Sequence, residues 1–306
     1  MPDKRMRGVY PILVTPFDEQ SRIDVDSLRS LVDFLIDAGV HGIGVALGSE
    51  VFRFTEDERL LVTRTVVDQA RGRVPVVINS GGAGTELTVH YSLMAQDNGA
   101  DALMIMPPSF MPAGGGQVRD FFKAVSSAIG RTGAGIPIFI QDTDSAHVSA
   151  DLALQIAQES EHVRYIKVES HPTAVMVAET AARAGDLLTV FGGAGGNYFI
   201  EEMRRGSVGT MPGCSHPEAF VEVWDRFQAG DEQGAREAFY RRILPINRIS
   251  AQSWGAFYHV HKEILRQRGV IRTAVVRGPV APLDDVTRSE LQAVIDELYP
   301  ADTGRP

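Results

Sequence analysis

A closed barrel of eight parallel strands wrapped by helices, the (β/α)₈ class of α/β fold with a helical region appended at its C-terminal end, is what the sequence predicts. Three observations predict it. Short apolar, β-branched runs alternate with segments of helical period; eight such runs occur; and after the eighth the chain continues in helical pattern with no strand between. Alternation of this kind implies parallel strands joined by right-handed crossovers, and eight units close on themselves. An open doubly wound sheet would instead carry a dinucleotide fingerprint after its first strand, where this chain has Thr15-Pro16-Phe17-Asp18.

The strands are expected at Gly8 to Thr15, Gly42 to Leu47, Val74 to Ser80, Ala102 to Met106, Ile136 to Asp142, Val163 to Glu169, Leu187 to Gly192 and Val208 to Pro212. Between the first two, Asp26 to Ala38 places Leu28, Leu31, Val32, Leu35 and Ile36 on one helical stripe. From Thr55 to Ala70, Thr55 followed by Glu58 has the spacing of a capping box. Pro217 to Ala229 closes a barrel spanning 1–230, and helical patterns over Asp231 to Leu244, Gln252 to Arg268 and Asp284 to Leu298 make the appended region 231–306. The Gly- and Pro-containing stretch from Pro107 to Gly116 follows the fourth strand on the face where barrels carry active-site loops, which suits a lid or an interface loop.

Composition narrows the function classes. A net charge of −9 with no dense basic cluster argues against a nucleic-acid surface, and no apolar run is long enough to cross a bilayer. The charged N-terminus lacks a signal-peptide core, and the single cysteine, Cys214, forms no internal disulfide, so a cytoplasmic protein with a buried thiol is expected.

Lys167 stands inside Val163-Arg164-Tyr165-Ile166-Lys167-Val168-Glu169, a run that reads as a buried strand. Desolvation there disfavours the ammonium, and a neutral amine is what attack on a carbonyl carbon requires. The plainer reading is a lysine that snorkels to the strand end or pairs with Glu169. On a barrel, however, Lys167 falls near the C-terminal end of strand six, where such enzymes keep their chemistry.

Thr15-Pro16-Phe17, Gly39-Val40-His41-Gly42-Ile43, Ser49-Glu50 with Thr55-Glu56-Asp57-Glu58-Arg59, Tyr165-Ile166-Lys167 and Val276-Arg277-Gly278-Pro279-Val280-Ala281-Pro282-Leu283 together resemble the dihydrodipicolinate synthase and N-acetylneuraminate lyase superfamily. The resemblance runs from about Gly8 to Leu298. It implies a metal-free, cofactor-free class I lyase, an aldolase or dehydratase, in which Lys167 forms a Schiff base with pyruvate or a longer 2-oxo acid of the 2-keto-3-deoxy sugar acid type. It also implies a homo-oligomer, a tetramer of paired dimers or a dimer.

Departures from the family pattern bear on substrate and proton transfer. The turn that binds the substrate carboxylate in the family corresponds to Ala46-Leu47-Gly48-Ser49-Glu50, with both threonines lost, so the donors expected are backbone amides around Gly48 or the Ser49 hydroxyl. Gln141 stands where the family has its proton-shuttling tyrosine, and a carboxamide does not titrate usefully. A second tyrosine and a carboxylate-binding arginine are replaced around Ser109 and Ala146-His147, so dihydrodipicolinate synthase activity proper is an alternative rather than the expectation. A barrel that has lost its relay and merely binds or senses a 2-oxo acid is another. The catalytic residues expected are Lys167, Glu169 and Gln141, with Glu169 on the same strand face as Lys167. Ser49 and His147 are further candidates for moving protons, and each has a plain reading as a turn or loop residue. Gly48, Ser49, Gly192 and Gly193 are expected to bind substrate, the two latter as the pocket floor near the imine.

Gly192-Gly193-Ala194-Gly195-Gly196-Asn197 follows strand seven, where many barrels bind phosphate, but no Lys or Arg follows until Arg204. His259 and His261, two apart in a helical pattern, point to different sides, and Asp142 with Asp144 lacks a third ligand, so no metal site is expected.

Overall fold

The computed structural model describes residues 6–111, 113–253 and 255–300. Eight strands, β1 (Gly8–Val9), β2 (Ile43–Val45), β3 (Val76–Asn79), β4 (Ala102–Ile105), β5 (Ile138–Asp142), β6 (Val163–Val168), β7 (Thr189–Gly192) and β8 (Gly209–Thr210), pair in parallel in the order β1-β8-β7-β6-β5-β4-β3-β2. Ile12, three residues past β1, bridges both Gly44 in β2 and Gly213 beyond β8, so the segment that begins with β1 meets both neighbours and the sheet closes. The expected (β/α)₈ barrel with appended helices is therefore the fold.

Strand alternation sorts the side chains. Tyr10, Val77, Met104, Phe139, Tyr165 and Phe191 fill the barrel interior, whereas Ile140, Ile166, Val168 and Val190 turn outward to the helices. Phe139 and Tyr165 stack with ring centroids 4.4 Å apart, and Phe191 packs edge-on at 5.5 Å from Phe139. This aromatic layer is the floor on which the next inward residue of β6, Lys167, stands.

The crossover helices are α1 (Val25–Asp37), α2 (Glu56–Ala70), α3 (Thr85–Asp97), α4 (Gly115–Arg131), α5 (Ala150–Glu159), α6 (Thr173–Ala184), α7 (Phe199–Met203) and α8 (Pro217–Gln228). The capping box at α2 forms: Glu58 N donates to Thr55 Oγ1 at 3.2 Å, and Thr55 N to Glu58 Oε2 at 3.0 Å. The appended region comprises α9 (Glu232–Ala238), α10 (Leu244–Ser250), α11 (Ala256–Gln267) and α12 (Asp285–Leu298). The single helix expected over Asp231 to Leu244 widens into a π-helical turn at Phe239–Ile243 ahead of α10, because Pro245 has no N–H to continue the ladder. The helix expected from Gln252 starts at Ala256, since Gly255 adopts φ +85, outside helical space.

The appended helices have an apolar core of their own, with Ile246, Val260, Ile264, Leu291 and Ile295, and are also pinned to the mouth of the barrel. Lys262, fully buried, donates to Glu50 Oε1 at 2.5 Å and to the Val275 carbonyl at 2.9 Å, and Glu50 also pairs with Arg53 at 2.6 Å. Burial lowers the Lys262 ammonium to about 8 despite its carboxylate partner. Glu50→Gln strands that cation, so it should cost about 3 kcal/mol in a denaturant titration; an unchanged midpoint would show that the pair contributes nothing.

Candidate functional site

A cavity of about 470 Å³ opens above the aromatic floor at the C-terminal ends of the strands, and Lys167, Glu169 and Gln141 line it together with Gly48, Asp144 and Tyr258. The three sequence-predicted catalytic residues thus meet in one place. Lys167 is buried, its side chain 4% exposed, and its Nζ lies 2.8 Å from Glu169 Oε1. The amine is thus both buried and paired with Glu169, the pairing that the plainer sequence reading offers, so a proton can pass directly between them. Both residues point inward because they are two apart and the extended backbone of β6 runs on through Glu169, whose N–H still donates to the Asp142 carbonyl at 2.9 Å.

Glu169 is the hub of the site. Besides Lys167, its Oε1 accepts from the Ala194 amide at 3.1 Å, and its Oε2 accepts from Gln141 Nε2 at 2.8 Å. Gln141 reaches it because β5 and β6 pair Gln141 with Lys167 in register. The remaining oxygen of the carboxamide, Gln141 Oε1, is buried with no protein partner, leaving an acceptor in the cavity wall.

The turn after β7 delivers the Ala194 amide. Ala194, Gly195 and Gly196 have φ of 48, 70 and 76, a succession of left-handed residues in which glycine carries most of the strain. Gly193 must be glycine for another reason: a Cβ there would sit 2.4 Å from Glu169 Cγ and 2.8 Å from Lys167 Cε. The turn is not arranged as a phosphate cradle, since the amides of Ala194, Gly196 and Asn197 are spent on Glu169, Gly193 and Ala194.

Two expected substrate contacts lie elsewhere. Gly192 faces outward from the barrel, where a Cβ would come within 1.8 Å of Glu202 Oε2, so it does not form the pocket floor. The reason is alternation: Phe191 and Gly193 take the inward positions on either side of it. Ser49 is fully buried with its hydroxyl donating to Leu13 O at 2.5 Å and accepting from Ala46 N at 3.1 Å, so it ties the β2 turn to the first strand and does not line the cavity. Gly48 does line the cavity, with Phe257 and Ile12 close enough that a Cβ would crowd them at 3.0 and 3.1 Å.

His147 also stands apart from the cavity. Its Nδ1 lies 2.9 Å from Asp142 Oδ1 and 3.1 Å from Ser170 Oγ, and Asp142 accepts in addition from Val148 N at 2.8 Å. Asp142 thereby folds the loop after β5 so that Thr143, Asp144 and Ser145 reach the cavity mouth. Asp144 is held there by His171, whose backbone N and Nδ1 approach it at 2.7 and 2.9 Å, and these contacts hold its carboxyl below the usual range. Tyr258, from α11, was not found from the sequence, because strand-end logic does not reach the appended helices. Its hydroxyl donates to Leu47 O at 3.3 Å, and burial raises its pKa. His259 and His261 turn to different partners, the Ala281 carbonyl at 3.1 Å and Ser215 Oγ at 2.7 Å. Among the described residues no group of three or more His, Cys, Asp or Glu is placed to hold a metal ion, and no helix is long and apolar enough to cross a membrane.

A family model described as the dihydrodipicolinate synthetase family matches residues 5–298. The chain belongs to this family. Within it, the chain is 32% identical over 303 residues to L-2-keto-3-deoxyarabonate dehydratase of Azospirillum brasilense, covering 97% of this chain and 96% of that one. It is 27% identical over 258 residues to the 4-hydroxy-tetrahydrodipicolinate synthase of Methanopyrus kandleri, covering 80% and 81%. Among solved structures, dihydrodipicolinate synthase from Rhodopseudomonas palustris superposes with a TM-score of 0.87 at 26% identity, over 95% of this chain and 97% of that one. A prophage protein of the same family from E. coli K12, solved in complex with pyruvate, superposes with a TM-score of 0.88 over 97% and 100% at 21% identity, a likeness of fold.

Proposed function

We propose that the protein is a Schiff-base lyase of the dihydrodipicolinate synthetase family that removes water from a 2-keto-3-deoxy sugar acid with an uncharged tail. The observation that carries this reading is the buried Lys167 held 2.8 Å from Glu169 at the base of the cavity. Protonated Lys167 passes a proton to Glu169, and the freed amine attacks the C2 keto carbon. Glu169 gives that proton to the keto oxygen, which with a second proton from the attacking nitrogen leaves as water, and the resulting iminium draws electrons from the C3–H bond. Glu169, returned to its carboxylate form, takes the C3 proton. The C3–H electron pair then forms the C3–C4 double bond as the C4 hydroxyl departs, and Glu169 returns the proton to it, so one water is lost. Hydrolysis of the imine frees the product and the amine.

Gln141 holds Glu169 through its amide nitrogen and offers Oε1 to a substrate hydroxyl. For the substrate carboxylate, the turn after β2 is the candidate. The amides of Ser49 and Glu50 are spent on the Ala46 and Leu47 carbonyls, which leaves the backbone around Leu47 and Gly48 to serve. Glu169 supplies the titrating group that Gln141 cannot, which favours turnover over a barrel that only senses its ligand.

Electrostatics favours the uncharged tail. Among the described residues that line the cavity, Lys167 is the single cation, against the carboxylates of Glu169 and Asp144, and Asp144 sits with Thr143 and Ser145 at the mouth. A second substrate carboxylate would meet Asp144 with no compensating base, whereas hydroxyls find acceptors. Among 2-keto-3-deoxy acids, kcat/KM should therefore favour neutral polyol tails over dicarboxylic ones by about a hundredfold, the worth of a like-charge contact of roughly 3 kcal/mol. Condensation of pyruvate with aspartate semialdehyde should be slower still. Efficient synthase activity in a reductase-coupled assay would reject the dehydratase reading in favour of the alternative.

The described part of the 107–116 loop presents Phe110 and Met111 at 85% and 70% exposure, and Phe110 lines one surface groove with the exposed Phe52 and Leu87. This face suits burial against a second copy of the chain, and light scattering on Phe110→Ser tests it: a smaller assembly is expected from the variant than from the parent.

A further inference from the structure

Glu202, on α7, is fully buried, yet no protein group completes a hydrogen bond to either of its carboxyl oxygens. It lies outside the cavity and takes no part in the steps above. Its carboxyl packs on the outer face of β7 against Gly192, where even a methyl group would overlap Oε2. One residue on, at Gly193, the same strand touches Lys167 Cε and Glu169 Cγ from the inner face. A single strand thus separates this carboxyl from the reacting pair. The hydroxyls of Thr173 at the start of α6 and Thr210 on β8 are buried and make no complete hydrogen bond either, and of the two the Thr173 hydroxyl favours the ionised carboxyl of Glu202.

An ionised carboxyl in such a place would bear a desolvation cost that the Thr173 hydroxyl and the charge of Lys167 offset only in part. The neutral acid avoids that cost. We propose that Glu202 is a positioning residue for the Schiff-base chemistry, an uncharged carboxyl behind β7 that leaves Glu169 as the one carboxylate balancing Lys167. The inference rests on Lys167 being the imine-forming residue.

The charged groups that act on Glu202 are Lys167 from β6, Glu169 just past its end and Glu201 from its own helix, while α6 presents Thr173 and β8 presents Thr210. Desolvation, with the nearby Glu169, pushes Glu202 up to about 8. Near neutral pH it is protonated. Above about pH 8 it ionises and sets a second negative charge beside Lys167, which holds the proton on the amine and slows nucleophilic attack. Gly192 is glycine to make room for this group, which explains why a residue facing away from the cavity has no side chain.

The test follows the rate of borohydride-trapped pyruvate adduct on the Lys167 peptide between about pH 6 and pH 10, in the parent and in Glu202→Gln, which keeps shape and neutrality. The two profiles should superpose below about pH 7 and part above pH 8. By about pH 9.5 the variant should be roughly 3- to 10-fold faster, the effect of removing one charge at short range in a protein interior. A second measurement needs no variant: carbon-13 spectra of glutamate-labelled parent protein should show one carboxyl titrating near 8. Superposed profiles at all pH with Lys167 trapped in both, or no glutamate carboxyl titrating above about pH 7, overturns the proposal alone. Absence of any adduct on Lys167 in the parent overturns it together with the Schiff-base reading.

Discussion

Lys167→Ala should abolish the covalent adduct that borohydride is expected to leave on the parent protein in the presence of pyruvate or a 2-keto-3-deoxy acid, and turnover should fall by on the order of 10⁴-fold or more. The size of the effect follows from the mechanism: without the amine there is no iminium, and no other group in the cavity stabilises a carbanion at C3. The chain offers an internal control. Lys262 is a second buried lysine, but its nitrogen is engaged by Glu50 and the Val275 carbonyl and does not face the cavity. Peptide mass mapping of the trapped protein should place the label on the peptide containing Lys167 and leave that containing Lys262 unmodified. Chelators should leave the adduct yield unchanged, because no step needs a Lewis acid. Label on Lys262, or a Lys167→Ala protein that still traps substrate, would end the Schiff-base mechanism.

What could be read ahead of the structure follows from which signals are local. Alternating apolar runs and helical stripes expose strand order, the barrel and the inward direction of Lys167 and Glu169, because both periods are written in consecutive residues. The capping box at Thr55 and Glu58 is local in the same way. Contacts made across the barrel are not. Ser49 reads as a substrate donor until Leu13 and Ala46 claim its hydroxyl, and Gly192 reads as a floor residue until Glu202 arrives from another helix to occupy the space beside it. Tyr258 enters the cavity from the appended helices, and Asp144 reaches the mouth only because Asp142 and His147 fold the loop after β5. Each depends on packing between segments far apart in sequence. Residue type and spacing cannot show it.

Glu169→Gln separates imine formation from proton transfer. The substitution keeps the shape of the side chain and can keep an oxygen toward Lys167 Nζ and the Ala194 amide, which now approach Glu169 at 2.8 and 3.1 Å. It removes the one titrating group within direct reach of the lysine. The variant should still yield the adduct on Lys167, more slowly because the amine's proton must leave by another route. Its turnover should fall by roughly 10²- to 10⁴-fold, the usual worth of a positioned general base. Gln141→Leu should be milder: it removes the amide that orients Glu169 and the Oε1 acceptor while leaving the carboxylate in place. A loss of about 1–3 kcal/mol in kcat/KM, weighted toward KM, is expected. The contrast between the two variants carries the assignment. If Glu169→Gln turns over near the parent rate while Tyr258→Phe or His147→Ala does not, the proton moves through that residue and Glu169 only fixes the lysine in place. If Gln141→Leu costs as much as Glu169→Gln, the carboxylate works only when the carboxamide orients it, and the two must be treated as one unit.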